Sequence, residues 1–233
     1  MRVYDVGSPF GLATRSVFAP WKPEIVTYNR LADVEDNIDK IDLISFGGGA
    51  DIHPSVYKHY TAGSHVSGNN PSYRDLFEMN VWKLAIAHKK PIFGICRGAQ
   101  LACALSGGFL VQHVEGHANG EHMITTNEGR KLDITSYHHQ LMVPHKINHE
   151  LIAWATATNR VNSYMWDTSN MSPKQFDSVA HASQSPEIVY FKDTNALGIQ
   201  GHPEFYSDAM EEAVVYSRQL INKYLLKGAM PDV

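Results

Sequence analysis

The sequence is poor in cysteine, in excess charge and in long apolar runs, and each shortage argues against a class of protein. Its 233 residues include only two cysteines, Cys96 and Cys103, which argues against a disulfide framework and predicts a reducing compartment. The formal net charge of −4 leaves no basic surface for nucleic acid or for an anionic membrane. No apolar run approaches the roughly 18 residues of a membrane span, and Met1–Val6 lacks the apolar core of a signal peptide. We therefore expect a soluble, cytoplasmic protein with neither a nucleic-acid nor a membrane partner.

Apolar runs alternate with amphipathic segments, which predicts an α/β protein. Ile41–Phe46 and Ile92–Ile95 are predominantly apolar and are predicted as strands, while Tyr73–His88 between them has apolar residues at helical spacing. Strand, helix and strand form a parallel crossover unit, and ligands bind such sheets at the carboxyl ends of the strands. A chain of this length with 43% hydrophobic residues can bury one sizeable core, so we expect one domain over residues 1–233.

Weaker patterns predict the remaining elements. Short runs with strand composition occur at Arg2–Val6, Glu24–Tyr28, Phe109–Gln112, Met123–Asn127, Lys131–Ser136, Glu150–Thr158, Ser178–Ala182, Glu187–Phe191 and Ala196–Gln200. Asp208–Lys227 is predicted as a helix that ends before Gly228, and Val56–Ser72 is predicted as an exposed loop.

Cys96 lies where a predicted strand turns at once into a predicted helix, with Gly94 and Gly98 on either side. This is the pattern of a nucleophile elbow, in which the attacking side chain sits on a sharp, strained turn. The turn also places the thiol at the positive end of the helix dipole, which favours the thiolate. Most free cysteines are instead buried and inert, and Cys103 fits that description because no glycines frame it. We predict Cys96 as a nucleophile and Cys103 as a core residue.

A thiol nucleophile needs a base, and the base needs a partner that fixes its orientation. His202 and Glu204 follow a predicted strand, and Pro203 between them restricts the turn. A histidine picked at random is more often a surface or core residue, but the strand end and the paired acid favour the base. The amide of Arg97 and an amide from Gly47–Gly49 could donate to an oxyanion, although these glycines could also form a merely flexible turn.

The chain is rich in histidine, which raises the question of a metal site. Five histidines are candidates for a metal-binding cluster: His113, His117, His122, His138 and His139. No pair among them has the His-x-x-x-His spacing with a nearby acid that is typical of a zinc-binding helix. The sequence therefore predicts no metal and no other cofactor.

Together these motifs resemble the class I glutamine amidotransferase superfamily, and most closely its gamma-glutamyl-gamma-aminobutyrate hydrolase branch. The matching segments, in chain order, are Gly48 to Asp51 with Pro54 and Tyr57, Arg74-Asp75 with Glu78, Gly94 to Gln100, Ser136 to Gln140, and Gly198 to Glu204. The resemblance covers nearly the whole chain. It implies a doubly wound, flavodoxin-like α/β fold, with a mostly parallel sheet and helices on both faces.

The resemblance also implies roles for eight residues. They are Cys96 as nucleophile, His202 as base, Glu204 as its orienting acid, the amides of Gly49 and Arg97 as the oxyanion hole, and Gln100, Tyr137 and His138 as contacts of the glutamyl head group. Two departures stand out. Gly201 replaces a tryptophan that is usual in the branch, which predicts a missing wall beside the site. The segment Val161–Asp177 is unlike the usual connection.

We therefore expect an enzyme whose thiolate attacks a small-molecule gamma-glutamyl amide, expels an amine or ammonia, and leaves a thioester that water hydrolyses. A close alternative is a glutaminase subunit that uses the same residues to deliver ammonia to a separate synthetase. A different alternative is a regulatory or binding module that kept the fold without catalysis, although the joint presence of Cys96, His202 and Glu204 argues against it. A homodimer and a synthetase partner both stay open.

Overall fold

The computed structural model describes residues 1–7, 12–66, 68–114, 117–118, 120–156, 164–167, 172–175, 184–205 and 210–228. The strands are β1 (Arg2–Val6), β2 (Glu24–Val26), β3 (Leu43–Phe46), β4 (Ile92–Ile95), β5 (Phe109–Val111), β6 (Gly120–Thr126), β7 (Lys131–Ser136), β8 (Leu141–Val143), β9 (His149–Thr156), β10 (Tyr164–Asp167), β11 (Ser172–Gln175), β12 (Gln184–Phe191) and β13 (Ala196–Ile199). The helices are α1 (Leu12–Phe18), α2 (Leu31–Asn37), α3 (Tyr73–Ala87), α4 (Arg97–Leu105) and α5 (Glu211–Leu220), the last continued by a π-helical turn over Ile221–Leu226. Strands and helices alternate from β1 to β5.

The central sheet has the strand order β2-β1-β3-β4-β13-β12-β9-β6-β7. The first five strands are parallel and form the doubly wound half that the sequence predicted. From β13 onward each neighbouring pair is antiparallel. Short connections explain the change of direction, because β6 and β7, like β12 and β13, are joined by turns too short for a parallel crossover. The sheet therefore carries an antiparallel extension beside its parallel half.

Helices pack on both faces of the sheet, as predicted. On β3, Ile44 and Phe46 point into the core that α2, α3 and α4 cover, whereas Leu43 points into the core formed with α1 and α5. The alternation follows from the two-residue period of side chains along a strand. Among the described residues, no helix combines the length and the apolar character that a bilayer span requires.

Several predicted segments differ from the structure. The loop predicted over Val56–Ser72 is mostly exposed, but Tyr57 and Ala62 are buried, and the amide of Ala62 donates to Oε1 of Gln112 at 2.6 Å. The strand predicted at Ser178–Ala182 lies outside the described residues. Within Val161–Asp177, β10 and β11 pair as an antiparallel ribbon, and the other residues of that segment lie outside the described ranges.

Candidate active site

The turn between β4 and α4 holds Cys96 in a strained backbone conformation. Its φ of +50° and ψ of −106° are rare for a residue with a side chain, and such outliers occur at functional turns. The turn is held on both sides, because the Cys96 amide donates to the Ile199 carbonyl at 2.8 Å and the Cys96 carbonyl accepts from the Gln100 amide at 3.0 Å. The geometry matches the strained elbow that the sequence predicted.

The glycines on either side of Cys96 are required by close packing. A Cβ on Gly94 would lie 2.5 Å from the carbonyl carbon and oxygen of Gly98, and a Cβ on Gly98 would collide with the Phe46 carbonyl. Only glycine lets the helix approach β3 and β4 this closely. Cys103 lies farther along α4, fully buried, where burial raises the pKa of its thiol to about 12. Cys103 is therefore a core residue, as predicted.

His202 lies beside Cys96 because β4 and β13 are parallel neighbours. Ile95 pairs with Ile199, so the residues that follow these strands emerge at the same edge of the sheet. The imidazole of His202 lies beside the Cys96 side chain, since a Cβ built on Gly48 would contact both, and its Nδ1 lies 2.8 Å from Oε1 of Glu204. The structure therefore brings Cys96, His202 and Glu204 together in the order thiol, imidazole and carboxylate.

The environment of His202 favours its protonated form. Burial alone would lower the pKa of His202, but its interactions with Cys96 and Glu204 outweigh this and raise the pKa to about 10. The imidazole is thus charged at neutral pH. A histidine in this state can stabilise a neighbouring thiolate and can later donate a proton.

The antiparallel extension braces His202. The Thr135 hydroxyl at the end of β7 accepts from the His202 amide at 3.0 Å and donates to the His202 carbonyl at 2.7 Å. The exposed ring of Phe205 stacks on the imidazole with centroids 4.7 Å apart, and the exposed ring of Tyr137 packs edge-on at 6.2 Å. Tyr137 was predicted from the sequence, whereas the contact of Phe205 was not.

A buried network of charges connects the elbow to the start of α3. The Arg97 guanidinium, 2% exposed, donates to Asp75 at 2.5 Å and to Glu78. Arg74 donates to Glu78 at 2.7 Å and to the carbonyl of Gly48 at 3.0 Å. Two arginines and two carboxylates thus neutralise one another while they fix the elbow against the glycine turn. The sequence offered Arg74, Asp75 and Glu78 only as part of a motif, and it assigned a role to the amide of Arg97 but not to its guanidinium.

The glycine turn lies over the Cys96 and His202 pair. A Cβ on Gly48 would lie 3.0 Å from Cε1 of His202 and 3.6 Å from Cβ of Cys96. Because the Gly48 carbonyl points to Arg74 and the peptide is trans, the amide N–H of Gly49 points the opposite way. The Arg97 amide is one of the free donors at the start of α4.

Gln100 and His138, two further predicted contacts, are both buried. Gln100 is 4% exposed and lies one turn along α4 from Cys96. The ring of His138 is directed elsewhere, because its Nδ1 lies 2.9 Å from the Gln140 carbonyl and its Nε2 lies 3.5 Å from Oε1 of Glu187. The His138 ring is therefore held between Gln140 and Glu187, whereas the exposed Tyr137 ring packs against His202.

The space beside Gly201, where the sequence predicts a missing wall, is filled in the structure. A Cβ on Gly201 would lie 2.5 Å from Cγ1 of Ile134 and 2.7 Å from the Thr135 carbonyl oxygen. Ile134 already fills the space beside the strand end. The expectation of a missing wall at Gly201 is therefore wrong, because Ile134 and Thr135 of β7 occupy the space beside it.

Gly201→Trp should lower the free energy of unfolding by about 3 kcal/mol, because a large side chain must displace packed atoms. Urea denaturation measures the change. The double variant Ile134→Ala/Gly201→Trp should recover part of the loss by freeing space. Equal stability of Gly201→Trp and the unchanged protein would contradict the packing described here.

Comparison with known proteins identifies the family. A family model described as Peptidase C26 matches residues 23–204, a range that includes Cys96, His202 and Glu204. The chain belongs to the Peptidase C26 family. This C26 chain is 26% identical over 184 residues to the glutamine amidotransferase-like protein YvdE of Lactococcus lactis subsp. lactis, a match covering 77% of the chain and 73% of YvdE.

Other relatives extend the C26 assignment to the class I glutamine amidotransferase superfamily. The chain is 30% identical over 119 residues to the carbamoyl phosphate synthase small chain of Pasteurella multocida, a match covering 51% of the chain and 25% of that protein. A glutamine amidotransferase from Thermotoga maritima superposes with a TM-score of 0.58 at 13% identity, over 96% of the chain and 84% of that structure. The likeness to the solved structure shows a shared fold. The family and its relatives support a glutamine amidotransferase-like hydrolase, as the motifs predicted.

Proposed function

We propose that this C26 protein is a thiol hydrolase that cleaves a gamma-glutamyl amide, either a gamma-glutamyl amine or glutamine, through a glutamyl thioester on Cys96. The observation that carries the proposal is the contact of Cys96 with His202, whose Nδ1 lies 2.8 Å from Glu204. A strained nucleophile, a protonated imidazole and an orienting carboxylate are the parts that cysteine-dependent acyl transfer needs.

In the first half of the reaction, the Cys96 thiolate attacks the gamma-carbonyl carbon and forms the sulfur–carbon bond. The carbonyl oxygen becomes an oxyanion between the amides of Gly49 and Arg97. Protonated His202 gives its proton to the leaving nitrogen, and the carbon–nitrogen bond breaks. The products are a free amine, or ammonia, and a glutamyl thioester on Cys96.

In the second half, water replaces the amine. Neutral His202 takes a proton from the water as its oxygen attacks the thioester carbon. The carbon–sulfur bond then breaks, which releases glutamate and restores the thiolate beside protonated His202. Glu204 stabilises the imidazolium in both halves without changing its own protonation. Neither half of the reaction requires a cofactor.

The surroundings of the pair support this assignment. Arg74 holds the carbonyl of Gly48, which turns the next amide away from that arginine, and Arg97 is held by Asp75 and Glu78. Donors fixed before the substrate arrives stabilise an oxyanion without reorganisation. We assign the glutamyl head group to the side of the site flanked by Gln100 and Tyr137.

The alternative is a glutaminase subunit with the same chemistry, whose ammonia passes to a separate synthetase. The relationship to the carbamoyl phosphate synthase small chain favours this second candidate, because a chain with that name belongs to a larger synthase. A homodimer is compatible with either function. The two functions differ only in which molecule receives the leaving group.

Incubating the purified protein with glutamine and with a panel of gamma-glutamyl amines separates the two functions, with glutamate release as the measurement. We expect at least one gamma-glutamyl amine to be hydrolysed by the isolated chain with a higher kcat/KM than glutamine. Slow glutamine turnover that rises only when a second protein is added would instead favour the subunit. No turnover of any gamma-glutamyl compound, alone or with added protein, would contradict both functions.

A further inference from the structure

Three histidines and one glutamate from four separate segments converge beside the active site. His117 follows β5, His122 lies on β6, His138 follows β7, and Glu187 lies on β12. One ligand atom from each lies within 4.8 Å of the others. The group is largely enclosed, because the Glu187 side chain is fully buried, the His138 side chain is 1% exposed and the His122 side chain is only 18% exposed.

The facing atoms of this group are buried without hydrogen bonds among the described residues. They are Nδ1 of His117, Nε2 of His122, Nε2 of His138 and both carboxylate oxygens of Glu187. Oε1 of Glu187 lies 3.6, 3.2 and 3.5 Å from the nitrogens of His117, His122 and His138, respectively. Buried polar atoms of this kind need a partner, and a bound metal ion would satisfy them.

The tautomer of His138 shows that its Nε2 also needs a partner. Its Nδ1 lies 2.9 Å from the Gln140 carbonyl, and because a carbonyl can only accept, Nδ1 carries the hydrogen. In the neutral ring, Nε2 therefore presents a lone pair to the carboxylate of Glu187. Two acceptors that face each other inside the protein need either a proton or a cation between them. A ring N–H held by a backbone carbonyl is also the usual second contact of a metal-binding histidine.

We propose that His117, His122, His138 and Glu187 bind one Zn²⁺ ion in a tetrahedral site. Metal–ligand bonds of about 2.0–2.1 Å place tetrahedral ligand atoms about 3.3 Å apart, which is close to the three separations measured from Glu187. Three imidazoles and one carboxylate suit Zn²⁺ and disfavour Mg²⁺ or Ca²⁺, which prefer oxygen ligands. Four protein ligands leave no open position, so the site is structural.

Such an ion would fix the segment that supports His202. The backbone carbonyl of Glu187 accepts a hydrogen bond from the amide of Gln200 at 2.7 Å. Gln200 lies two residues before His202. The His117 carbonyl accepts from the Ser136 hydroxyl and from the His138 amide, on either side of Tyr137. The ion would therefore join β12, β6 and the end of β7 behind the active site. The partly exposed His122 offers the route of entry.

This site has no His-x-x-x-His spacing, because its ligands come from different strands and loops. A second group, His65, His113 and His139, is the natural comparison. In that group His65 is exposed, and Nε2 of His139 already lies 2.8 Å from Asp51. His138 and His139 are adjacent in sequence yet belong to different groups, which provides a closely matched control.

The test measures Zn²⁺ binding to the full chain after its metal has been removed with a chelator, together with the Zn²⁺ content of the protein as purified. We expect about one Zn²⁺ per chain, and a melting temperature that rises when Zn²⁺ is restored. His122→Gln and Glu187→Gln should weaken Zn²⁺ binding by at least about 100-fold, since each removes a ligand. His139→Gln should bind Zn²⁺ as the unchanged chain does.

Glu187→Gln alters a fully buried residue and could fail to fold, but His122 is partly exposed, so His122→Gln decides the matter by itself. If the chelator-treated chain binds Zn²⁺ no more tightly than His122→Gln, protons rather than a metal neutralise Glu187 and the proposal is overturned. Loss of binding in His139→Gln with binding kept in His122→Gln would also overturn it, because the metal would then sit in the second group.

Discussion

Cys96→Ala should reduce kcat/KM for the best gamma-glutamyl substrate by roughly 10⁴-fold or more, while Cys103→Ala should keep most of the activity. Only Cys96 occupies the strained elbow and contacts His202. Cys103 is fully buried in α4, where burial raises the pKa of its thiol to about 12 and keeps it protonated. Steady-state kinetics of the two variants, side by side, measure the difference.

The same two variants should have the opposite order of stability. Cys96→Ala should leave the free energy of unfolding nearly unchanged or slightly raised, since strained catalytic positions commonly cost stability. Cys103→Ala should lower it by about 1 kcal/mol, because it leaves a small cavity in the core. Similar losses of activity in both variants would contradict the assignment of Cys96 as the nucleophile.

His202→Ala should lose several orders of magnitude in kcat/KM, and Glu204→Gln should lose less, because Gln keeps a hydrogen bond to Nδ1 while removing the charge. The losses should not add. Since Glu204 acts through His202, the double variant His202→Ala/Glu204→Gln should be about as slow as His202→Ala alone. If the double variant's increase in activation free energy equalled the sum of the two single increases, Glu204 would have another role and the triad would be withdrawn.

Glu204→Gln should also change the pH dependence. Burial lowers the pKa of His202, and contacts with Cys96 and Glu204 more than offset this and raise it to about 10, so removing the Glu204 charge should bring the pKa down. The alkaline limb of kcat/KM should then move to lower pH. Because the folded-state pKa is raised, the stability from protonated His202 is complete below pH about 6.5 and is lost as the pH rises through about 10. In Glu204→Gln, that loss should begin at lower pH.

Local features of the sequence were enough to predict the elbow. Gly94, Cys96 and Gly98 lie within five residues. The structure shows why both glycines are needed, since a Cβ on Gly98 would collide with the Phe46 carbonyl and a Cβ on Gly94 would collide with Gly98. The pairing of Cys96 with His202 also followed, because both were predicted at strand ends and parallel strands share one edge. Patterns that depend only on neighbouring residues or on the shared edge of a sheet can thus be predicted from one sequence.

Features that depend on which distant segments meet could not be predicted. Nothing near Gly201 in the sequence indicated that Ile134 would occupy the place of a larger side chain. Neither did local spacing unite His117, His122, His138 and Glu187, whose proximity arises from the pairing of β6, β7, β9 and β12. The packing at Gly201 and the histidine cluster both depend on the order of the antiparallel strands. That order is determined by contacts between segments far apart in the sequence.

The most direct test of the proposed mechanism is to react the protein with a glutamine analogue that carries an electrophilic chloroketone in place of the gamma-amide. The labelled residue is then identified by peptide mapping. We predict one label per chain on Cys96, complete loss of turnover, and protection by a hydrolysable gamma-glutamyl substrate. Labelling of Cys103 or of another residue in step with inactivation would contradict the proposal, as would full turnover by protein whose Cys96 is completely labelled.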